Sequence, residues 1–121
     1  MKPLSSVIFF PCHNTRETLA FYLDVVGATV WKDMGGAILL DSGYGYIGFV
    51  EYGPDRPMAT GNCISFNMED NAAVDAKFAE LLEKGVAKAD QGPVMQTGFA
   101  VYSFFIEDPN GYTVEFQKIQ D

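Results

Sequence analysis

EDPNGYTVEFQK, residues 107–118, contains a turn and the strand that follows it, and the reading of that strand decides the fold. Pro109 presets φ, Asn110 and Gly111 tolerate positive φ, and the Asp108 carboxylate can accept from the backbone two residues on, so the chain reverses here. Beyond the turn, period-two alternation puts Tyr112, Val114 and Phe116 on one face and Thr113, Glu115 and Gln117 on the other. The apolar face requires a core. The polar face is either solvated, with Glu115 a surface carboxylate, or it lines a cavity, where a carboxylate can hold a metal or act as a base.

Working backwards, FAVYSFFIED supplies the partner of this hairpin. Before it, QGPVMQTG reads as a loop and VAKA as a short strand. The helix NAAVDAKFAELLEKG is capped by Asp70 or Asn71, carries Val74, Phe78 and Leu81 as its apolar stripe, and stops at Gly85. Strand NCISFNM precedes it, with Ile64, Phe66 and Met68 on one face and Cys63, Ser65 and Asn67 on the other. The order is βαβββ.

The preceding residues repeat that order. SSVIFFPC is a buried strand, and NTRETLAFYLDVVG is a helix with Asn14 as N-cap, Glu17 completing an approximate capping box, and Leu19, Tyr22 and Val26 at helical spacing up to Gly27. ATVW, AILLDSG and YIGFVEY follow as three strands. The chain thus reads as one domain, residues 1–121, with a first unit at 1–54, a polar link DRPMATG at 55–61 and a second unit at 62–121. GYIGF at 45–49 parallels GYTVE at 111–115, which sets Phe49 opposite Glu115 across a twofold. A repeat of this kind implies a unit that cannot bury its sheet alone.

Bulk properties narrow the function classes. With 121 residues and 48% hydrophobic content the chain is long enough for a globular core. Sixteen acidic against eight basic residues give a net charge of −8, which repels phosphate backbones and anionic membranes, so nucleic acid and membrane partners are not expected. There is no leader-like segment or apolar run of membrane length, and two cysteines, Cys12 and Cys63, are too few for a secreted disulfide framework; the expected compartment is the cytoplasm.

Paired βαβββ units with FYLDVVG in the first helix and DPNGYTVEF at the end resemble the vicinal oxygen chelate superfamily of glyoxalase I, bleomycin resistance proteins and extradiol dioxygenases. The resemblance spans nearly the whole chain. It implies an α+β fold of two curved mixed sheets forming a cup, with helices outside. Glu115 then falls where metal-binding members place a ligating carboxylate, which would make it the catalytic and metal-binding residue. The family's first ligand position falls at Val7, its counterpart in the second half at Cys63, and the first-half carboxylate near Gly48 or Phe49. Only Glu115 and Cys63 could coordinate anything. Hard or borderline metals want three or four O or N donors.

The resemblance therefore leaves two functions open. One is a glyoxalase- and bleomycin-resistance-like binder of a small organic molecule, whose ligand contacts are Val7, Phe9, Phe49, Cys63, Ser65, Phe105 and Gln117 around Glu115. The other is a metal-dependent lyase or dioxygenase-like enzyme, similar to lactoylglutathione lyase, with an altered ligand set at Glu115. The cofactor is accordingly a divalent metal or none, and the missing ligands favour none. His13, the only histidine, sits at the turn before the first helix and reads as a capping or surface residue. Trp31 and Tyr44 read equally as rim, dimer or core residues. Small members of this superfamily commonly pair, so a homodimer is expected.

Overall fold

The computed structural model describes residues Met1–Asp121, which divide into two compact units, Met1–Gly61 and Asn62–Asp121. In the first unit β1 (Val7–Pro11), α1 (Thr15–Phe21), β2 (Thr29–Asp33), β3 (Ala37–Asp41) and β4 (Tyr46–Val50) follow in order. The second runs β5 (Cys63–Asn67), α2 (Asn71–Glu83), β6 (Val94–Met95), β7 (Val101–Glu107) and β8 (Thr113–Ile119). Each unit is a curved, unclosed mixed sheet of four strands, ordered β1-β4-β3-β2 and β5-β8-β7-β6. In both sheets the first strand pairs parallel with the last and the remaining pairs are antiparallel. The expected two βαβββ units are present.

Local chemistry explains most of the boundaries. Asn14 caps α1 by accepting from the Glu17 amide at 2.9 Å, and Asp70 caps α2 by accepting from the Ala73 amide at 2.8 Å. Gly27 and Gly85 end their helical segments with φ of 89° and 75°, a conformation that costs other residues a Cβ clash. The turn before β8 is held by Asp108, whose Oδ1 accepts from the amides of Asn110 at 2.7 Å and Tyr112 at 2.9 Å. Only Gly111 in that turn uses positive φ; Asn110 does not.

The first helix departs from its expected stripe. After Phe21 the chain widens into a π-helical turn, Tyr22–Val26, in which the Gly27 amide reaches back to the Tyr22 carbonyl at 3.0 Å. Thr15, Thr18, Tyr22 and Val25 are the buried residues, whereas Leu19 and Val26 are only partly covered. The wider turn shifts the buried stripe to Val25 in place of Val26. In the second unit, VAKA is not a strand; Ala89–Gln91 forms a short 3-10 turn, and the edge strand is Val94–Met95 inside the expected loop. Pro93 lacks the amide a longer ladder would need, which keeps that edge strand short.

The helices select one face of each sheet. A row of rings crosses the second sheet, with Phe116 paired to Phe66 and Phe104, and Phe78 of α2 meets Phe104 edge-on at 5.3 Å. Val74, Leu81, Val114 and Tyr112 are buried with them, as the alternation of residues 112–116 requires. In the first unit the corresponding row is Phe10, Phe49 and Ile38, and Tyr22 packs on Phe49 with ring centroids 4.7 Å apart. Outside these rows, Trp31 stacks on Tyr46 at 4.3 Å where β2 bulges, while Tyr44 is fully exposed on the β3–β4 turn.

Polar contacts tie α1 to its own sheet. Thr15 donates through its amide to Glu51 Oε2 at 2.8 Å and through its hydroxyl to the Gly35 carbonyl at 2.7 Å. Arg16 makes a forked pair with both oxygens of Asp33 at 2.8 Å each. That hydrogen bonding, together with the Gly35 amide, holds the Asp33 carboxyl at about 2. A carboxyl depressed in the folded state stabilises the fold above its unfolded value and loses that contribution as pH falls through the folded one. Acid unfolding followed by circular dichroism between about pH 4 and 2 should therefore be less steep in Asp33→Asn than in the parent, with the two curves converging at the acid end. Parallel curves would remove Asp33 from the acid sensitivity.

Candidate functional site

Because α2 claims the Phe66, Phe116 and Phe104 row, the neighbouring row of the second sheet turns to its other face. There Glu115 stands between Ser65 on β5 and Phe105 on β7. The Ser65 hydroxyl donates to Glu115 Oε1 in a short contact. Cys63 Sγ lies 3.6 Å from Ser65 Oγ and 3.9 Å from Glu115 Oε1. Gln117, two residues on, donates to Asn67 Oδ1 at 3.1 Å. The expected group of Cys63, Ser65, Phe105, Glu115 and Gln117 is thus assembled on one face.

Four of these side chains, Cys63, Phe105, Glu115 and Gln117, border a recess of about 320 Å³ together with Gln96, Phe99 and Val101. Val101 shares the alternation of Phe105 and was legible on that ground. Gln96 and Phe99 come from the loop between β6 and β7, for which strand periodicity carries no signal. Glu115 is only 9% exposed. Neither a lysine nor an arginine pairs with it, and Oε2 accepts nothing from the protein. A carboxylate so covered and so thinly satisfied favours a donor brought by another molecule.

The equivalent face of the first sheet is different. Counting from the first residue of each parallel strand pair, Val7 corresponds to Cys63, Phe9 to Ser65 and Gly48 to Glu115. A Cβ at Gly48 would lie 2.5 Å from two atoms of the Phe9 ring, so the ring occupies the space a carboxylate at that position would need. Phe49 is not on this face. Its ring is fully buried against Tyr22, on the helix side, and it corresponds to Phe116. The match of GYIGF to GYTVE is off by one residue, and a one-residue slip along a strand turns every side chain to the opposite face. Val7 and Phe9 keep the expected orientation, opposite to the row containing Phe49.

The donors present do not fit a divalent metal. No three His, Cys, Asp or Glu side chains come together as a ligand group. At the Glu115 position the only further donor of suitable type is Cys63, whose thiol is pushed up, first by burial and then by the neighbouring Glu115 charge, against a lowering hydrogen bond from Ser65. Its neutral thiol is a poor ligand and a poor nucleophile.

A family model described as the glyoxalase/bleomycin resistance protein/dioxygenase superfamily matches residues 6–116. The chain belongs to that superfamily. Among solved structures it is similar to a lactoylglutathione lyase from Agrobacterium tumefaciens at 21% identity, with 97% of this chain and 95% of that one covered and a TM-score of 0.74. It is also similar to a virulence protein from Salmonella typhimurium, at 21% identity, 99% and 98% coverage and a TM-score of 0.76. A third, a glyoxalase/bleomycin resistance protein/dioxygenase from Nocardioides, is 13% identical with a TM-score of 0.75 over 100% of this chain and 86% of that one. At such identities the likeness establishes the fold. No curated protein matches the chain in sequence.

The state of Cys63 is open to measurement. Alkylation by iodoacetamide at pH 8 should be slower at Cys63 in the folded protein than in the urea-unfolded chain, because a raised pKa lowers the thiolate fraction. Glu115→Gln removes the one neighbouring charge that raises that pKa, so it should speed the folded-state reaction. Peptide mass mapping separates Cys63 from the buried Cys12. Faster alkylation in the folded parent than in the unfolded chain would contradict the assignment.

Proposed function

We propose that this member of the superfamily binds a small organic molecule at Glu115 without a metal, and that the ligand presents a cationic or hydrogen-bond-donating group on an aromatic or otherwise planar body. The observation that carries this reading is Glu115 itself: nearly covered, with Oε1 taken by neutral donors and Oε2 unused, beside Phe105 and Phe99. Carboxylate and ring faces both attract positive charge, and a few placed polar groups among apolar walls are what orient a small ligand. The net charge of −8 raises the local concentration of cations in the same sense. A recess of about 320 Å³ suits a single-ring molecule.

The lyase-like alternative draws on the Agrobacterium lactoylglutathione lyase. That chemistry would polarise paired substrate oxygens with a metal. Val7, Phe9 and Gly48 on one sheet and a neutral Cys63 on the other argue against it here.

Calorimetry with benzylamine, benzyl alcohol and benzoate tests the proposal, since the three share a ring and differ in charge. Benzylamine should bind best and benzoate least. Glu115→Gln should weaken benzylamine by about 1.5–3 kcal/mol, the scale of a charged hydrogen bond, without altering the melting temperature of the free protein by a comparable amount. Equal binding of all three, or an amine affinity indifferent to Glu115→Gln, would overturn it.

A further inference from the structure

A second recess, of about 560 Å³, lies within the first unit and is bordered by Cys12, His13, Glu51, Tyr52, Arg56 and Met58. Its two charged groups are held in different ways. Arg56 lies over the Tyr52 ring with 3.9 Å between the guanidinium carbon and the ring centroid, and its side chain meets no carboxylate. Its backbone is set by the turn that starts at Gly53, whose carbonyl accepts from the Arg56 amide at 3.2 Å, and Pro54 and Pro57 stiffen that turn. Stacking orients the guanidinium while leaving its fork of N–H donors uncommitted. In a chain with twice as many acidic as basic residues, a placed arginine without an acidic partner stands out.

On another part of the lining, Glu51 Oε2 accepts from the Thr15 amide at 2.8 Å, and that bond, helped by the Thr15 hydroxyl and the Arg16 charge, holds the carboxyl below its ordinary value and fixes it as a carboxylate. The remaining wall carries His13 and Cys12 beside an apolar stretch of Pro54, Pro57 and Met58. A lone anion would meet Arg56 but also Glu51. A lone cation would meet the reverse. A molecule carrying both charges satisfies both groups.

We propose that this recess is a binding site for a small zwitterion of the α-amino acid type, its carboxylate on the Arg56 fork, its ammonium on Glu51 and its side chain against the prolines and Met58. Bidentate geometry suits a planar carboxylate to arginine, and an ammonium brings charged donors to the Glu51 carboxylate. The site is independent of Glu115 and takes a different ligand class.

Two-dimensional amide NMR on the full chain tests it, with L-leucine, 4-methylpentanoate, which lacks the amine, and isopentylamine, which lacks the carboxylate. L-leucine should give saturable shifts at Glu51, Tyr52 and Arg56 and bind more tightly than either single-charge analogue. Arg56→Lys keeps the charge but loses the fork and should weaken L-leucine by about tenfold, the loss of about one charged hydrogen bond. Arg56→Ala should abolish the shifts, and since Arg56 is exposed neither variant threatens the fold. Equal binding of 4-methylpentanoate, tighter binding of inorganic phosphate, or no saturable shift at these residues with L-leucine would each overturn the proposal. An Arg56→Lys variant with undiminished affinity would do the same.

Discussion

Two aromatic contacts, Tyr22 on Phe49 and Phe78 on Phe104, settle which face of each sheet is left for chemistry. A strand can bury only alternate residues against a helix, so once these rings are placed the adjacent rows have no freedom. Phe104 and Phe116 under α2 send Phe105 and Glu115 to the other side. Phe49 against Tyr22 sends Gly48 and Phe9 to the other side of the first sheet. The fold and the candidate site are consequences of the same packing choice.

The two units share a topology and a core pattern but not a surface. Where the second has Cys63, Ser65 and Glu115, the first has Val7, Phe9 and Gly48. The first set is polar and partly satisfied within itself. The second is apolar and closed by the Phe9 ring lying over Gly48. Placing a carboxylate at position 48 would require the ring to leave, so such a change involves two residues and not one. Metal coordination needs donors from several positions, and the first sheet supplies none at Val7, Phe9 and Gly48.

Much of this was legible in the sequence because it follows from short-range rules. Asn14, Asp70, Gly27 and Gly85 marked the helix ends, and the alternation of residues 112–117 placed Glu115 and its neighbours on the correct faces. The position of Phe49 was misread because the two hairpins were matched by their glycine and tyrosine and not by strand pairing. Gly45-Tyr46 lies one step closer to its strand than Gly111-Tyr112 does, since β4 begins at Tyr46 and β8 at Thr113. The π-helical turn at Tyr22–Val26 was hidden for a related reason: a single extra residue in a helical turn leaves no compositional mark. Gln96 and Phe99 reach the recess from a loop, where neither period applies. The recess at Arg56 and Glu51 was invisible in sequence because it depends on a ring contact made across a turn.

Superfamily membership rests on a match over residues 6–116, and the fold is shared with structures of about one-fifth identity, so the site decides what this member does. The central claim is that the donors around Glu115 form a ligand-binding carboxylate and not a metal centre. Elemental analysis of protein purified without chelators, followed by calorimetric titration with zinc, manganese and nickel, tests it most directly. The account predicts far less than one equivalent of any divalent ion and no tight binding on titration. One tightly held divalent ion per chain, lost in Glu115→Gln, would contradict it.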